Sequence, residues 1–292
     1  MFRKVKRKVK QLLKYFGLFK DKDAWRKASK NQLKYFKENV NIKSSLDTIN
    51  EIRNTIDNKQ KGAYLRFGDG DIYLMLSRNE LLQKASKEMT TEMKEAMMLN
   101  VGSLHKGIPI HSKLFGFEEG MKENMHLLSD SDAIKYLTVT YKYLDIKNIY
   151  TPVALHYLAT FNKEICVNFL YFLRNTNPVF VGNHKIKIDL LNKLFGDIHI
   201  KTPSDNSYME IDRIEDELIA VLKNSEDKFK VVVVAMGCAG RILQKRILKK
   251  GFNVYLFDFG SLLDAFNNEN TRFWIDLAGG TDNLKNILNK LD

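Results

Sequence analysis

"KVVVVAMGCAGRILQKRILKKGFNVYLFDFG" (residues 230–260) reads as strand, glycine turn, helix, stop at Gly251 and second strand. Four consecutive valines suit a buried strand, and the glycine turn ends it as the helix opens. A strand–helix–strand succession implies a right-handed crossover and parallel pairing. The pattern already runs upstream. "PVFVGN" (178–183) is a strand and turn before a helix near 186–195, and "DIHIKTP" (197–203) is a strand before the polar loop "SDNSY" and a helix near 210–223. The expected fold class is α/β, Rossmann-like, a mostly parallel sheet with helices on both faces.

The turn "AMGCAGR" (235–241) carries the first chemistry. Backbone N–H groups at a helix N-terminus favour phosphate, and Gly237 and Gly240, flanking Cys238 and Ala239, let a ligand approach the main chain. Arg241 offers a charge-assisted contact. The pattern is GxxG, which an ordinary packing turn also satisfies. Asp258 ends the next strand 21 residues beyond Gly237, where a dinucleotide-binding protein holds a ribose, so an NAD- or S-adenosylmethionine-dependent enzyme remains in view.

A second stretch, "AYLRFGDGDIYLM" (63–75), reads as a short strand over Tyr64–Phe67 ended by a tight turn at Gly68 and Gly70. Asp69 and Asp71 flank a glycine, and such carboxylates can converge on one Mg²⁺ or Mn²⁺ whose shell is completed by water and diphosphate oxygens. Arg66 would neutralise phosphate or hold the carboxylates. A surface Asp-Gly turn is the plain alternative. An EF-hand fits poorly: Glu80 falls at the twelfth position from Asp69, but Leu74 occupies the glycine position.

Elsewhere, residues 24–58 read as helix, with Leu33, Phe36, Val40, Leu46, Ile49, Ile52 and Ile56 at helical spacing and a cap at Ser44 or Ser45. Met89, Met93 and Met97 form a stripe of core type, and residues 132–174 read as mainly helical with a turn at Thr151-Pro152. His111 and Lys113 share a loop in "GIPIHSKLFG" (107–116), near donor or acceptor or, as a lone histidine beside an apolar run, part of the core.

The 292 residues are 44% hydrophobic, enough for a substantial core, with no repeat and no domain boundary: residues 21–292 are expected as a single α/β domain. Cys166 and Cys238 lack disulfide or zinc spacing and suit a reducing compartment, so the expected location is cytoplasmic. No run approaches the ~18 apolar residues of a membrane span, and the basic N-terminus lacks a secretion-signal core. Residues 1–20 hold eight Lys or Arg and no acid, two thirds of the net charge of +12. Phe2, Val5, Val9, Leu12, Leu13 and Phe16 recur at helical spacing beside those cations, as in helices that lie on anionic membrane surfaces. A solvated arm, a helix docked on the body and nucleic-acid binding are the other readings. Without the segment the charge falls to about +4, so nucleic acid is not the expected partner.

"LRFGDGD", "KTPSDNSY" and the 230–260 stretch, in that order over roughly residues 60–266, resemble the GT-D glycosyltransferases. The resemblance implies a nucleotide-sugar donor; the donor is expected to be UDP-linked and the acceptor a glycan, lipid-linked or protein hydroxyl, and residues 1–20 point to peripheral attachment at the cytoplasmic membrane face. The resemblance also implies Mn²⁺ or Mg²⁺ at Asp69 and Asp71, which match the family's D-x-E positions with Asp in place of Glu. Arg66, Gly68 and Gly70 belong to that segment. Asn206 and Tyr208, in the counterpart of the P-S-x-N-A-[FY] loop, are expected near the nucleotide, and Gly237, Cys238, Ala239 and Gly240 near the phosphates. The family's G-H-I-D segment is "GSLLD" here and lacks the histidine, leaving Asp264, Asp258 and His111 as candidate catalytic residues.

Overall fold

Val231 and Val233 pack on one side of a sheet, and Val232 and Val234 on the other. Such two-faced burial needs helices on both sides, and each valine contributes roughly 1.5–3 kcal/mol of burial. A computed structural model of the chain describes residues 30–117, 127–144, 147–224, 228–270 and 273–291.

Apart from short 3₁₀ turns, the elements begin with α1 (Lys30–Asn39), β1 (Asn41–Ile42), α2 (Ser45–Asp57), β2 (Gly62–Arg66), α3 (Asp69–Met75), α4 (Lys87–Met98) and β3 (Ser103–Gly107). They continue with α5 (Asp130–Thr140), β4 (Asn148–Ile149), α6 (Ala154–Phe161), α7 (Lys163–Asn175), β5 (Val179–Asn183) and α8 (Ile188–Leu194). The last are β6 (His199–Thr202), α9 (Ile211–Lys223), β7 (Lys230–Ala235), α10 (Ala239–Lys249), β8 (Val254–Asp258), α11 (Leu262–Phe266), α12 (Phe273–Leu277) and α13 (Gly280–Leu288).

Six strands form one sheet in the order β3-β2-β8-β7-β5-β6, every pair parallel, and β1 and β4 form a small parallel pair beside it. One face is covered by Met89, Met93 and Met97 of α4, Ile214 and Leu218 of α9, and Ile242 and Ile247 of α10. The other is covered by Ile49 and Ile52 of α2, Leu158 of α6, Phe169 of α7 and Leu284 of α13. This is the expected α/β architecture, with the methionine stripe in the core. Residues 1–20 lie outside the described residues.

Three expectations are corrected. Residues 40–44 interrupt the helix expected over 24–58: β1 intervenes, and Ser44 restarts the chain as α2 by accepting the Asp47 N–H at 3.1 Å. Residues 148–149 form β4 inside the span 132–174 expected to be mainly helical. Finally, the DGD segment opens a helix. Gly68 is the N-cap, and the Asp71 carboxylate accepts the Gly68 N–H at 2.7 Å, so the acids satisfy the N-terminus of α3.

Candidate functional site

The parallel sheet brings the C-terminal ends of β2, β8 and β7 side by side. Each contributes charge: Arg66 ends β2, Asp71 lies in the first turn of α3, Asp258 ends β8, and Arg241 opens α10 after β7. Arg66 Nε lies 3.1 Å from Asp258 Oδ1, and Arg241 Nη1 lies 2.9 Å from Asp258 Oδ2. Arg241 Nε lies 3.3 Å from Asp71 Oδ1. Arg241 also donates to the carbonyls of Arg66 and Gly237, both at 2.5 Å. One guanidinium thus gathers three strand ends. Asp71 and Asp258 are each 2% exposed, an enclosure that ionised groups tolerate only when paired, and two cations face two anions here.

Burial raises the Asp71 pKa, against the pull of Arg241 and the Gly68 N–H. Burial alone would lower that of Arg241, but Asp258 and Asp71 hold it raised. The Cys238 thiol is hydrogen-bonded to Asp71 and pushed well up by burial and by that carboxylate. Cys238 and Arg241 therefore belong to the interior side of the GCAG turn. Gly237 is its outer face: exposed, at φ +61°, with open space where a side chain would project. Gly240 and Ala239 are buried, and a Cβ on Gly240 would lie 3.0 Å from Val234 Cγ1, so Gly240 serves close helix–strand packing.

Asp69 and Asp71 part company. Residues two apart on a helix do not share a face; Asp69 is exposed, accepting the Gly70 N–H at 2.9 Å, whereas Asp71 turns into the charged hub. Asp71 Oδ1 makes no hydrogen bond, and among the described residues no group of three or more His, Cys, Asp or Glu is gathered to hold a metal ion. Of the two aspartates, Asp69 is the carboxylate open to a divalent cation, whose remaining positions phosphate oxygens and water would fill, whereas Asp71 is enclosed beside Arg241.

Asp258, a candidate base or ribose ligand, is instead enclosed between two guanidiniums. A ribose hydroxyl has no access to that carboxylate, which removes the dinucleotide argument built on it. His111 is 4% exposed, its Nε2 within 2.9 Å of both the Lys43 carbonyl and the Thr151 hydroxyl and its ring 4.5 Å from Phe117. Burial lowers its pKa to about 4, partly opposed by the Lys43 carbonyl, so it is a neutral core histidine rather than a catalytic one. Asp264 is half-buried in the first turn of α11, just beyond β8.

The 203–208 loop grips a neighbour that the sequence did not suggest. Asn206, left-handed at φ 51°, donates its N–H to the Leu82 carbonyl at 2.7 Å and accepts the Lys84 N–H on Oδ1 at 3.0 Å. Tyr208 donates its hydroxyl to Glu92 Oε1 at 2.9 Å, and its N–H meets Gln83 Oε1 at 3.4 Å. Both residues thereby fasten segment 79–86, which carries Glu80, over the first turn of α3. Gly70 marks the meeting point: a Cβ there would lie 3.2 Å from Cys238 Sγ and 3.4 Å from Glu80 Oε2.

A family model described as "Glycosyltransferase GT-D fold" matches residues 64–273. Among solved structures, the chain is similar to a selenomethionine-substituted domain of unknown function 1792, with TM-score 0.61, 16% identity and 86% of each chain covered. A second structure of that domain, described as having a distinct glycosyltransferase fold, matches with TM-score 0.58 and 15% identity, again over 86% of each chain. A third, described as a new glycosyltransferase from Streptococcus sanguinis, matches with TM-score 0.56 and 16% identity over 83% of this chain and 86% of that one. No curated protein matches the chain.

Proposed function

The chain belongs to the glycosyltransferase GT-D fold family, and from that premise we propose that it transfers a sugar from a UDP-linked donor to a hydroxyl of a glycan, lipid-linked or protein acceptor. The observation that carries this reading is that an exposed carboxylate, Asp69, and an exposed glycine, Gly237, follow the strand ends on either side of β8, which Arg241 ties together.

Transfer breaks the bond from the anomeric carbon to the diphosphate and forms one to the acceptor oxygen. The electron pair of the broken bond leaves with the diphosphate, so the site must stabilise that charge and accept the acceptor's proton. Gly237, the exposed residue of the GCAG turn, lets the diphosphate approach the main chain, and the N-terminus of α10 beyond it favours its charge. Asp69 would hold Mn²⁺ or Mg²⁺, which supplies electrostatic stabilisation of the leaving group when bound, and Asp71 fixes the first turn of α3 that carries Asp69. Asp264, following β8, is the proposed acceptor of the proton. Arg66, Arg241 and Asp258 keep these parts in register, and Asn206 and Tyr208 fix the loop beside them. Residues 1–20 are proposed to bring the protein to an anionic membrane surface.

The test is calorimetric titration with UDP-, GDP- and CMP-sugars, NAD and S-adenosylmethionine, each with and without Mn²⁺. Manganese-dependent binding of a UDP-sugar is expected, together with a tenfold or greater loss in Asp69→Asn at unchanged Tm. Metal-independent binding of NAD or S-adenosylmethionine alone would overturn the proposal.

A further inference from the structure

Glu80 lies on segment 79–86, nine residues beyond Asp71 and far in sequence from the GCAG turn, and its side chain folds back over the first turn of α3. Its Oε1 accepts the Leu82 N–H at 2.9 Å, which fixes the carboxylate plane. Oε2 lies 3.4 Å from where a side chain on Gly70 would begin, beside Cys238 of the GCAG turn. Asn206 pins the segment at Leu82 and Lys84, so the carboxylate is held in place from across the site. The side chain is half-buried.

We infer that Glu80 is a specificity-determining residue that accepts hydrogen bonds from hydroxyls of the donor's hexosyl group; this rests on the glycosyltransferase reading of the same site. A preorganised carboxylate next to a diphosphate-binding turn requires a neutral donor partner or a cation, because a second anion would be repelled. A cation on Glu80 is the alternative, and its loss would weaken UDP and UDP-hexose binding alike, because a divalent ion takes the diphosphate oxygens common to both. Sugar hydroxyls, which join the diphosphate at its outer end, are the neutral donors that a nucleotide sugar supplies. A carboxylate has two oxygens to accept them, and one remains after the Leu82 bond.

The experiment compares Kd for UDP and for UDP-glucose, UDP-galactose and UDP-N-acetylglucosamine, all with Mn²⁺, in the wild type, Glu80→Gln and Glu80→Asp. Gln keeps an oxygen for the Leu82 N–H, and Asp keeps the charge with shorter reach. Hydrogen bonds to a charged group correspond to about a tenfold change or more in affinity. The expected result is that both variants keep the wild-type Kd for UDP and lose about tenfold or more for the UDP-hexose that binds best, at unchanged Tm. Equal losses for UDP and UDP-hexose, or no loss for either, overturn the inference while leaving the wild type's donor binding intact. A wild type that binds none of these ligands overturns the functional reading and the inference with it. If Glu80→Gln fails to fold, Glu80→Asp gives the same comparison.

Discussion

A methyl group at residue 260 would fall on the Arg66 guanidinium, and the backbone there has φ +65°, a conformation unfavourable to any side chain. Gly260 is thus the lid of the ion pair between Arg66 and Asp258. Gly260→Ala is expected to destabilise the protein by about 3 kcal/mol, as overpacking and backbone strain add, and urea unfolding reads the loss. Gly237→Ala meets no atom and carries only the strain of its positive φ, so it should cost less in the same measurement. The sequence made several of these residues legible as a set: Arg66, the two aspartates and the glycine turn are recognisable as strand-end chemistry. What it hid is direction. An arginine at a strand end reads alike whether it meets solvent phosphate or a buried carboxylate, and the partner that decides it, Asp258, is far along the chain. His111 is the same case, its burial set by Lys43 and Thr151.

Between elements, α4, α9 and α10 are fastened by a charged clamp centred on Glu92. Its carboxylate meets Lys245 Nζ at 2.8 Å and Arg246 at 2.6 Å, and Arg246 reaches on to Asp212 at 2.6 Å and Glu215 at 2.9 Å. Burial would raise the pKa of Glu92, but Arg246, Lys245 and Tyr208 outweigh it and hold it at about 2, below the ordinary 4.5. A depressed pKa means that this stabilisation is complete above pH 4.5 and is lost as pH falls from 4.5 towards 2. Glu92→Gln should therefore be less stable than the wild type at neutral pH, and the gap should close across that window in urea unfolding at a series of pH values. Strong elements such as β7, α10 and β8 were readable because apolar run, glycine and helix follow one another. The β3 strand was not: Ser103, His105 and Lys106 look like loop, and a bond such as that from Lys106 to the Met97 carbonyl at 2.6 Å, which accommodates the buried lysine, is invisible in the sequence. The helix that begins at Asp69 was read as a turn because its capping depends on which way Asp71 points.

At the scale of the molecule, the sheet and its two covered faces account for the described residues, and among them no helix is long and apolar enough to cross a membrane. The proposed membrane contact therefore rests on residues 1–20, where each cation contributes about 1 kcal/mol near an anionic surface. Deleting them should abolish co-sedimentation with phosphatidylglycerol vesicles and leave UDP-sugar affinity unchanged. Retained sedimentation would assign the contact to the body of the protein. The all-parallel class was legible from the alternation of strands and helices, but the strand order was not, because it depends on pairings between residues some 190 positions apart, Gly62 with Tyr255 and Tyr64 with Phe257. That order has a kinetic consequence. Among the described residues, the last strand to be synthesised, β8, is the one that lies between β2 and β7. Until Val254–Asp258 is synthesised, β3–β2 and β7–β5–β6 are separate sheets with open hydrogen-bonding edges, prone to wrong pairing. Commitment to the native six-stranded sheet is thus deferred until β8 emerges, and the two open edges are the surfaces exposed to wrong partners until then.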